Sequence, residues 1–553
     1  MISLLACLAL GAPDLSFLVI LTDDQRADSL WSQPAVSARL VDQGVLFSRA
    51  YATTPLCCPA RASLYAGGFS AGNTNVRANL APNGCVDRLD AVNTLATRLQ
   101  GQGWVTGLVG KYLNDYPEAQ APAIPPGWTH FEALGALSSW SQFEVIRGHS
   151  DPDRWGEGSA ETHEGYITWD QRDRAIAFLR EHGQGRFFLV VAFQAPHPPQ
   201  VPAPEDQGRY EALVLRPPSF NEADVSDKPA WVQGTPLLDA EAIAHQDEVA
   251  RDQLRCLASV DRAVAAILDE LAAQGAAGRT AVIYSSDNGV LWGEHRQVEK
   301  GRPYEEALLV PLVIRLPGAT PGQVDGLVAA DLDLPATLLE LAGLDDPGDG
   351  LSLLPALEGE GTTRDAVIAG NVNRAAFPPW AALIEDRYKL VDYASGELEL
   401  YDLAADPHEL RSLHRDPDQA ARVADMRARL RAGEGLMLAQ QALPVGEQGA
   451  PYEVALAARG GAPPYAWSLE AGALPEGLSL DEAGRLWGTP REAGSYSLVL
   501  RVVDAGVSPH HGGPADLSAR LDLEIAPRGC GCGGGGSAWL LLPPLLWRRR
   551  ISR

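Results

Sequence analysis

Three features of the sequence predict an α/β fold: a mainly parallel β-sheet sandwiched by helices, then a small C-terminal α+β subdomain and an all-β sandwich. Continuous apolar runs of strand length, such as "FLVIL", "FFLVVAF" and "TAVIYSS", read as strands buried on both faces. Amphipathic helical stretches separate them, as expected for strands joined by crossovers. Near residue 450 the pattern changes to short alternating strands punctuated by Gly and Pro turns, the mark of a sandwich. At 553 residues the chain is too long for a single core.

Taken in order, Phe17–Leu21 is the first buried strand, with acidic residues at its carboxyl end. "DQRDRAIAFLREHG" and "LRCLASVDRAVAAILDELAAQG" are helices; "FFLVVAFQAPH" and "TAVIYSSDNG" are strands running into polar turns. In parallel sheets, functional residues gather at the carboxyl ends of strands. "AALIEDRYKLVDY" and "ELELYDLAADPHEL" are short antiparallel strands followed by a helix, a subdomain over residues 364–440. "PPYAWSL", "LPEGLSL" and "GTPREAGSYSLVLRVVD" resemble pieces of bacterial Ig-like modules, here placed at residues 446–527 in a single copy.

Hydrophobic residues make up 46% and charged residues 21%, which fits folded domains. The net charge of −26 repels nucleic acid and anionic membranes, so an anionic substrate must be held by a local group of cations or a metal. Residues 1–12, "MISLLACLALGA", resemble the end of a signal peptide without a basic n-region. "LLAC" also resembles a lipobox ending at Cys7, and an internal first strand is the alternative. Residues 528–553 hold a Gly-Cys spacer, an apolar run over Ser537–Trp547 and an arginine cluster. That run is shorter than the roughly 20 residues of a stable span. The tail resembles MYXO-CTERM sorting tails, which implies export and processing or anchoring at the cell envelope; a Gly-rich disordered tail is the alternative.

Two strand ends carry paired hard ligands, Asp23–Asp24 and Asp287–Asn288. Four such oxygens at one sheet edge suit Ca²⁺, with Mg²⁺ as the alternative. Each pair alone also fits a helix cap or a turn. "TTPLCCPARASLYAG" sets two adjacent cysteines before a proline and an arginine. A disulfide, a metal clip, a nucleophile and a buried pair all fit. Pro59 suits the first helical position, which would place Cys57 just before a helix N-terminus, where unpaired N–H groups and Arg61 favour an anion.

Cys57-x-Pro59-x-Arg61 followed by Gly67 resembles the sulfatase signature, in which the first cysteine is oxidised to formylglycine. "ILTDDQRAD", "GLVGKYLNDY", "QAPHPP", "SSDNGVLWGEHRQVEK" and "LYDLAADPHEL" resemble the family's other motifs in order, through about residues 15–430. The double cysteine, "GKYLN" and "RPPSFNEADVSDKPAW" are most similar to the N-acetylglucosamine-6-sulfatase and heparan-sulfatase branch. The resemblance implies an alkaline-phosphatase-like catalytic domain over residues 13–363. It implies a hydrated formylglycine at residue 57 that attacks sulfur, releases the alcohol and then eliminates sulfate. It implies metal ligation by Asp23, Asp24, residue 57, Asp287 and Asn288. Arg61 would support the hydrate, Lys111 and Lys300 would grip sulfate, and His197 would contact the ester oxygen, with Lys300 as the other candidate proton donor. It also implies a formylglycine-generating enzyme as a maturation partner and a sulfated carbohydrate or other sulfate ester as substrate.

The plain alternatives are surface lysines and a proline-rich turn around His197. His295 lines the site or caps a loop; His163 and His245 are read as structural or surface residues. Ala60 replaces the common serine, Leu113 stands where many sulfatases have histidine, and "GGFSAGNTN" lacks another common histidine. Cys58 and Cys85 form either a disulfide after export or a reduced pair. The acidic surface favours exo-action on terminal or small esters. The competing readings are a phosphoester or phosphonate hydrolase of the same superfamily and a catalytically inactive surface glycan-binding protein.

Overall fold

The computed structural model describes residues 15–67, 76–79, 88–114, 116, 122–135, 139–344, 348–360, 363–371, 377–433, 437–438, 443–459, 465–503 and 516–528. The terminal segments, Cys7, Cys85 and "GGFSAGNTN" from its second glycine lie outside the described residues.

The apolar runs form strands where expected. These include β1 (Ser16–Thr22), β2 (Val45–Tyr51) and helix α1 (Cys57–Ala66). β3 (Val105–Gly110), β4 (His130–Leu134), β5 (Gln142–Gly148) and β6 (Gly156–Glu164) follow. Then come helix α2 (Ile167–His182), β7 (Phe187–Ala192), the long helix α3 (Ala240–Ala273) and β8 (Thr280–Ser286). β9 (Leu312–Arg315), β10 (Gly322–Ala329) and helix α4 (Ala330–Leu341) complete the main layer. The sheet has eleven strands in the order β10-β2-β9-β8-β1-β7-β3-β4-β5-β6, ending with the short strand Ala123–Ile124.

The sheet is parallel through its centre, as expected, and antiparallel pairs complete it on both sides. β8-β1-β7-β3-β4 pair in parallel, as do β2 and β10. β9 lies antiparallel between β2 and β8, and β4, β5 and β6 form an antiparallel meander. The reason lies in the connections. A parallel return needs a crossover, usually a helix. β4, β5 and β6 are joined by short loops, and the segment from β8 to β9 carries only a one-turn helix, Glu305–Leu308.

Alternation along β1 divides two cores. Phe17, Val19 and Leu21 pack with residues of α1 and α4. Leu18 and Ile20 pack on the other side with α2 and α3. Both faces are therefore covered, which is why β1, β7 and β8 are buried at every position.

α1 begins at Cys57 itself, so Pro59 is its third residue, not its first. Proline is tolerated there because the first four helical N–H groups have no intrahelical partner. Gly67 ends the helix at φ 73°, its N–H donating to the Ser63 carbonyl at 2.7 Å.

Within residues 364–440, β11 (Ala366–Asn371), β12 (Trp380–Glu385), β13 (Tyr388–Tyr393) and β14 (Leu398–Asp402) form an antiparallel sheet. Helix α5 (Ala420–Gly433) packs on it through Met426 and Leu430. This sheet belongs to the same compact unit as the large one. A second unit, Ala442–Leu456, Trp467–Arg501 and Arg520–Arg553, contributes most of a four-stranded and a three-stranded sheet. Trp467, Leu486, Leu498, Leu500, Leu523 and Ile525 are buried in it. Among the described residues, no helix is long and apolar enough to cross a membrane.

Gly110 closes β3 at φ 104°, where a Cβ would sit 2.0 Å from the Ala192 carbonyl oxygen. We expect Gly110→Ala to cost about 2–4 kcal/mol, from backbone strain and overlap together. Urea denaturation measures it; an unchanged midpoint would refute the close approach of β3 to β7.

Candidate active site

Parallel register builds the site. Leu21 lies level with Ala192 and Ser285, Thr22 with Ser286, and Gly110 with Ala192. The chain therefore leaves β1, β8, β7 and β3 at one edge, carrying Asp23–Asp24, Asp287–Asn288, Phe193–His197 and Lys111. Backbone bonds lock these exits together. The Asp23 N–H donates to the Ala195 carbonyl at 3.2 Å, the Asp287 N–H to Thr22 at 3.2 Å, and the Lys111 N–H to Ala192 at 2.9 Å. The Asp24 N–H donates to Asp287 Oδ1 at 3.1 Å. Asp24 takes φ 67°, which turns the chain sharply after β1.

Asp23, Asp24, Asp287 and Cys57 each offer one ligand atom, all within 4.8 Å of one another, and all four residues are buried. Cys57 Sγ lies 3.4 Å from Asp23 Oδ1 and 2.7 Å from Lys300 Nζ. Lys300 also reaches Asp24 Oδ1 at 2.5 Å. Lys111 pairs with Asp23 Oδ2. Arg61, fully buried on α1, donates through Nε to Asp287 Oδ2 at 2.8 Å and through a terminal nitrogen to the Lys111 carbonyl at 2.7 Å. His197 is about a quarter exposed, its Nε2 4.0 Å from Asp24 Oδ2.

The charges explain the titration shifts. Burial pushes the Asp23 carboxyl up, but Lys111, His197, Arg61 and Lys300 outweigh it and hold the group well below the usual range. Burial, then Asp23, raises Asp287 to about 6 against the pull of Arg61. Burial and Asp23 push the Cys57 thiol up to about 12. Burial opposes charge on Lys111 and Lys300, yet the first is raised by Asp23 and the second by Asp24. Burial lowers His197, so its imidazole is neutral at pH 7.

The residues fit a hard divalent cation. Asn288 Nδ2 donates to Asp24 Oδ1 and to the Gly289 carbonyl, while its Oδ1 is buried with no hydrogen-bond partner among the described residues. An amide oxygen beside three carboxylates is the donor set a hard cation takes. Three carboxylates (Asp23, Asp24, Asp287) face three cations (Arg61, Lys111, Lys300), so the ion would leave a net charge of +2 to receive an anion.

Nine of the ten site residues read from the sequence meet here; His295 does not. Its ring is fully buried, stacked on Tyr304 at 4.0 Å and bonded through Nδ1 to Glu222 Oε2 at 2.7 Å. Its ligand atom lies with those of Glu306 and Glu409 and not with the group around Cys57, so its reading as a substrate-binding residue is corrected. His163 lies beside Arg174 on β6, and His245 is exposed on α3.

Sequence reasoning missed Asn371 and Trp380. Asn371 Nδ2 donates to the Gly301 carbonyl at 3.0 Å and Trp380 Nε1 to the same oxygen at 2.9 Å. Both are buried, come from the small sheet and fix the residue next to Lys300. No local pattern announces such a contact across 70 and 79 positions.

A "Sulfatase" family model matches residues 16–344, more than half of the chain. The chain belongs to the sulfatase family. It is thereby a sulfuric ester hydrolase by family, on an alkaline-phosphatase-like fold. A model for the "N-sulphoglucosamine sulphohydrolase, C-terminal" segment matches residues 293–434, and the Ig-domain model He_PIG matches residues 436–510. The chain is 29% identical over 479 residues to an arylsulfatase of Volvox carteri, covering 74% of this chain and 72% of that one. It is 30% identical over 370 residues to N-acetylglucosamine-6-sulfatase of Homo sapiens, covering 64% of this chain and 66% of that one. Its fold matches a structure solved in complex with its substrate D-glucosamine-2-N,6-O-disulfate at a TM-score of 0.64 and 22% identity, covering 75% of this chain and 97% of that one.

Calcium added to chelator-stripped protein should raise its melting temperature; at 100 times Kd the gain is about 2.7 kcal/mol. Asn288→Ala should need roughly tenfold more calcium for the same shift, read by thermal scanning fluorimetry. A melting temperature indifferent to calcium would remove the ion from this site.

Proposed function

We propose that this sulfatase is a formylglycine-dependent exo-enzyme that removes sulfate esters from terminal or small sulfated amino sugars. The observation that carries the reading is the setting of Cys57: it opens a helix with its sulfur between Lys300 Nζ and Asp23 Oδ1, inside a cluster of hard metal ligands. The curated relatives named as N-acetylglucosamine-6-sulfatases support the substrate class.

Converted to formylglycine, residue 57 supplies a hydrated aldehyde, which can attack sulfur and later release sulfate without a stable ester. A Ca²⁺ ion held by Asp23, Asp24, Asp287 and Asn288 supplies charge neutralisation and Lewis acidity. Lys111 and Lys300 hold the sulfate oxygens from two sides, exchanging their present carboxylate partners for the guest. Arg61 holds Asp287 and the Lys111 backbone, so it orients the ligand set and one sulfate-binding lysine together. His197 donates Nδ1–H to the Pro198 carbonyl at 2.6 Å and turns Nε2 to the site, so it donates to the ester oxygen as the alcohol leaves only in its protonated form. The buried lysines are preorganised, so their attraction strengthens as charge develops on oxygen.

Export fits this reading. The apolar segment at residues 1–12 and the Gly-Cys tail at residues 528–553 support passage to the cell envelope, with a formylglycine-generating enzyme acting on Cys57 during maturation.

Peptide mass spectrometry of the Cys57 segment should show aldehyde in place of thiol. Turnover of an aryl sulfate should vanish in Cys57→Ala and fall roughly 100-fold or more in Lys300→Met. Faster turnover of the matching aryl phosphate would move the enzyme to phosphoester chemistry, and undiminished activity in Cys57→Ala would refute the mechanism. Sulfated glucosamine monosaccharides should outcompete intact heparan chains as substrates; a preference for internal chain sulfates would reject exo-action.

A further inference from the structure

Behind Lys300 lies a second group of donors that the proposed chemistry does not use. His295, Glu306 and Glu409 each offer one ligand atom, and these lie within 4.8 Å of one another. His295 and Glu409 are buried, and the Glu306 oxygen concerned has no exposed surface. His295 Nδ1 is held by Glu222 Oε2 at 2.7 Å, while its Nε2 has no hydrogen-bond partner among the described residues. A carboxylate on one ring nitrogen, with the other nitrogen buried and free, is the arrangement of a metal-binding imidazole. Glu306 Oε1 accepts from Ser219 Oγ at 3.3 Å, while its Oε2 is buried without a partner among the described residues. Glu409 Oε2 accepts from the Glu305 N–H at 2.9 Å, and its Oε1 lies 2.5 Å from Lys389 Nζ.

The charges do not balance. Lys389 is shared between Glu409 and Glu305, and Tyr51 also donates to Glu305. When all are ionised, three carboxylates (Glu305, Glu306, Glu409) against one ammonium leave two negative charges. The neighbouring acids have partners of their own, although Arg26 is shared with Asp28 and Lys228 with Asp227. Glu294 pairs with Arg26 at 2.6 Å, Glu222 faces Lys228 at 3.6 Å, and Glu399 accepts from the hydroxyls of Tyr304, Tyr393 and Tyr401. Buried charge without a partner is costly. Burial and neighbouring acids push Glu306 up to about 8, and burial likewise raises Glu409 to about 7.

We propose that His295, Glu306 and Glu409 form a second, buried metal site that takes one divalent transition ion, with Zn²⁺ as the matching species. One imidazole nitrogen and two carboxylate oxygens are a zinc donor set; calcium prefers oxygen alone. Zinc bonds of about 2.0–2.2 Å place adjacent donors closer than 4.8 Å, so a small contraction completes the site. The ion takes the place of the protons that the raised Glu306 and Glu409 carboxyls otherwise retain near neutral pH, and cancels the charge they carry once ionised. It also ties the two ends of the segment 295–306, which carries Lys300, to Glu409 of the C-terminal subdomain. Its role is to fix that segment, and it rests on no assumption about the substrate.

The test uses full-length protein, stripped by chelator and equilibrated with Zn²⁺ and Ca²⁺, then analysed for bound elements. One tightly held zinc per chain is expected, lost in Glu306→Gln and Glu409→Gln with at least 100-fold weaker binding, while calcium stays. Asn288→Ala should weaken calcium and leave zinc. Co²⁺ should give visible absorption bands in the wild type that Glu306→Gln abolishes. His182→Ala controls for zinc on the surface group His130, Glu181 and His182 and should change nothing. Glu306→Gln keeps the side-chain volume, so it decides the matter if a His295 variant does not fold. No retained zinc in the wild type, or retention unchanged in Glu306→Gln, overturns the proposal.

Discussion

Repulsion among Asp23, Asp24 and Asp287 is the constraint on which the site depends. Parallel pairing of β1 with β8 forces their carboxyl ends together, and the residues that follow are acids in a buried pocket. Unit charges 4 Å apart at a surface-like effective dielectric of 20 interact by about 4 kcal/mol. Three acids held this way require cations of equal permanence. The fold supplies them from three separate places: Arg61 from α1, Lys111 from the end of β3 and Lys300 from the loop after β8. Each is itself buried, so none is stable in place without the acids. Carboxylates and cations thus specify one another's position, and the strands that carry them inherit that precision.

Backbone geometry follows from the same demand. Asp24, His295, Glu299 and Glu409 all take positive φ without being glycine, at 67°, 51°, 66° and 53°. Such conformations cost energy and persist where the surroundings over-determine them. Gly289 allows a further close approach, since a Cβ there would lie 2.2 Å from the Glu306 carbonyl oxygen. The small antiparallel sheet acts on this region directly. Asn371 and Trp380 grip the Gly301 carbonyl, and Lys389 on β13 reaches Glu305 and Glu409. The C-terminal subdomain is therefore a wall of the site: it holds the loop from which Lys300 projects.

The central strands were legible because two-sided burial leaves an unbroken apolar run, and their polar exits named the ligand pairs. Strand direction was not legible. β9 is as apolar as its parallel neighbours, and only the nature of the β8–β9 connection turns it antiparallel. The β6 strand, "GEGSAETHE", is mostly exposed and carries no apolar signal at all. Cys57, Arg61, Lys111 and Lys300 could be read because their chemistry restricts residue type at fixed spacing. His295 sits within one such motif, yet its surroundings, not its spacing, decide what it touches. Asn371 and Trp380 act through one carbonyl oxygen supplied by a distant segment, and a hydrogen bond of that kind leaves no trace in periodicity or composition.

The contrast between a net charge of −26 and a reaction centre that a divalent ion would make cationic also has a physical consequence. At physiological salt, exposed charges are screened beyond about 8 Å, so the general surface acts on a guest only where that guest lies along it. A polysulfated chain must lie along it for many such lengths and meets repulsion throughout. A single sulfated sugar meets the acidic surface briefly and then enters a pocket where three fixed cations oppose three acids and an added divalent ion tips the balance positive. On the proposed function, local charge would thus attract the ester group while global charge would discriminate against long polyanions. That separation of scales is the physical ground for favouring small or terminal esters, and it places specificity in the shape of the surface around the site as much as in the residues that touch sulfate.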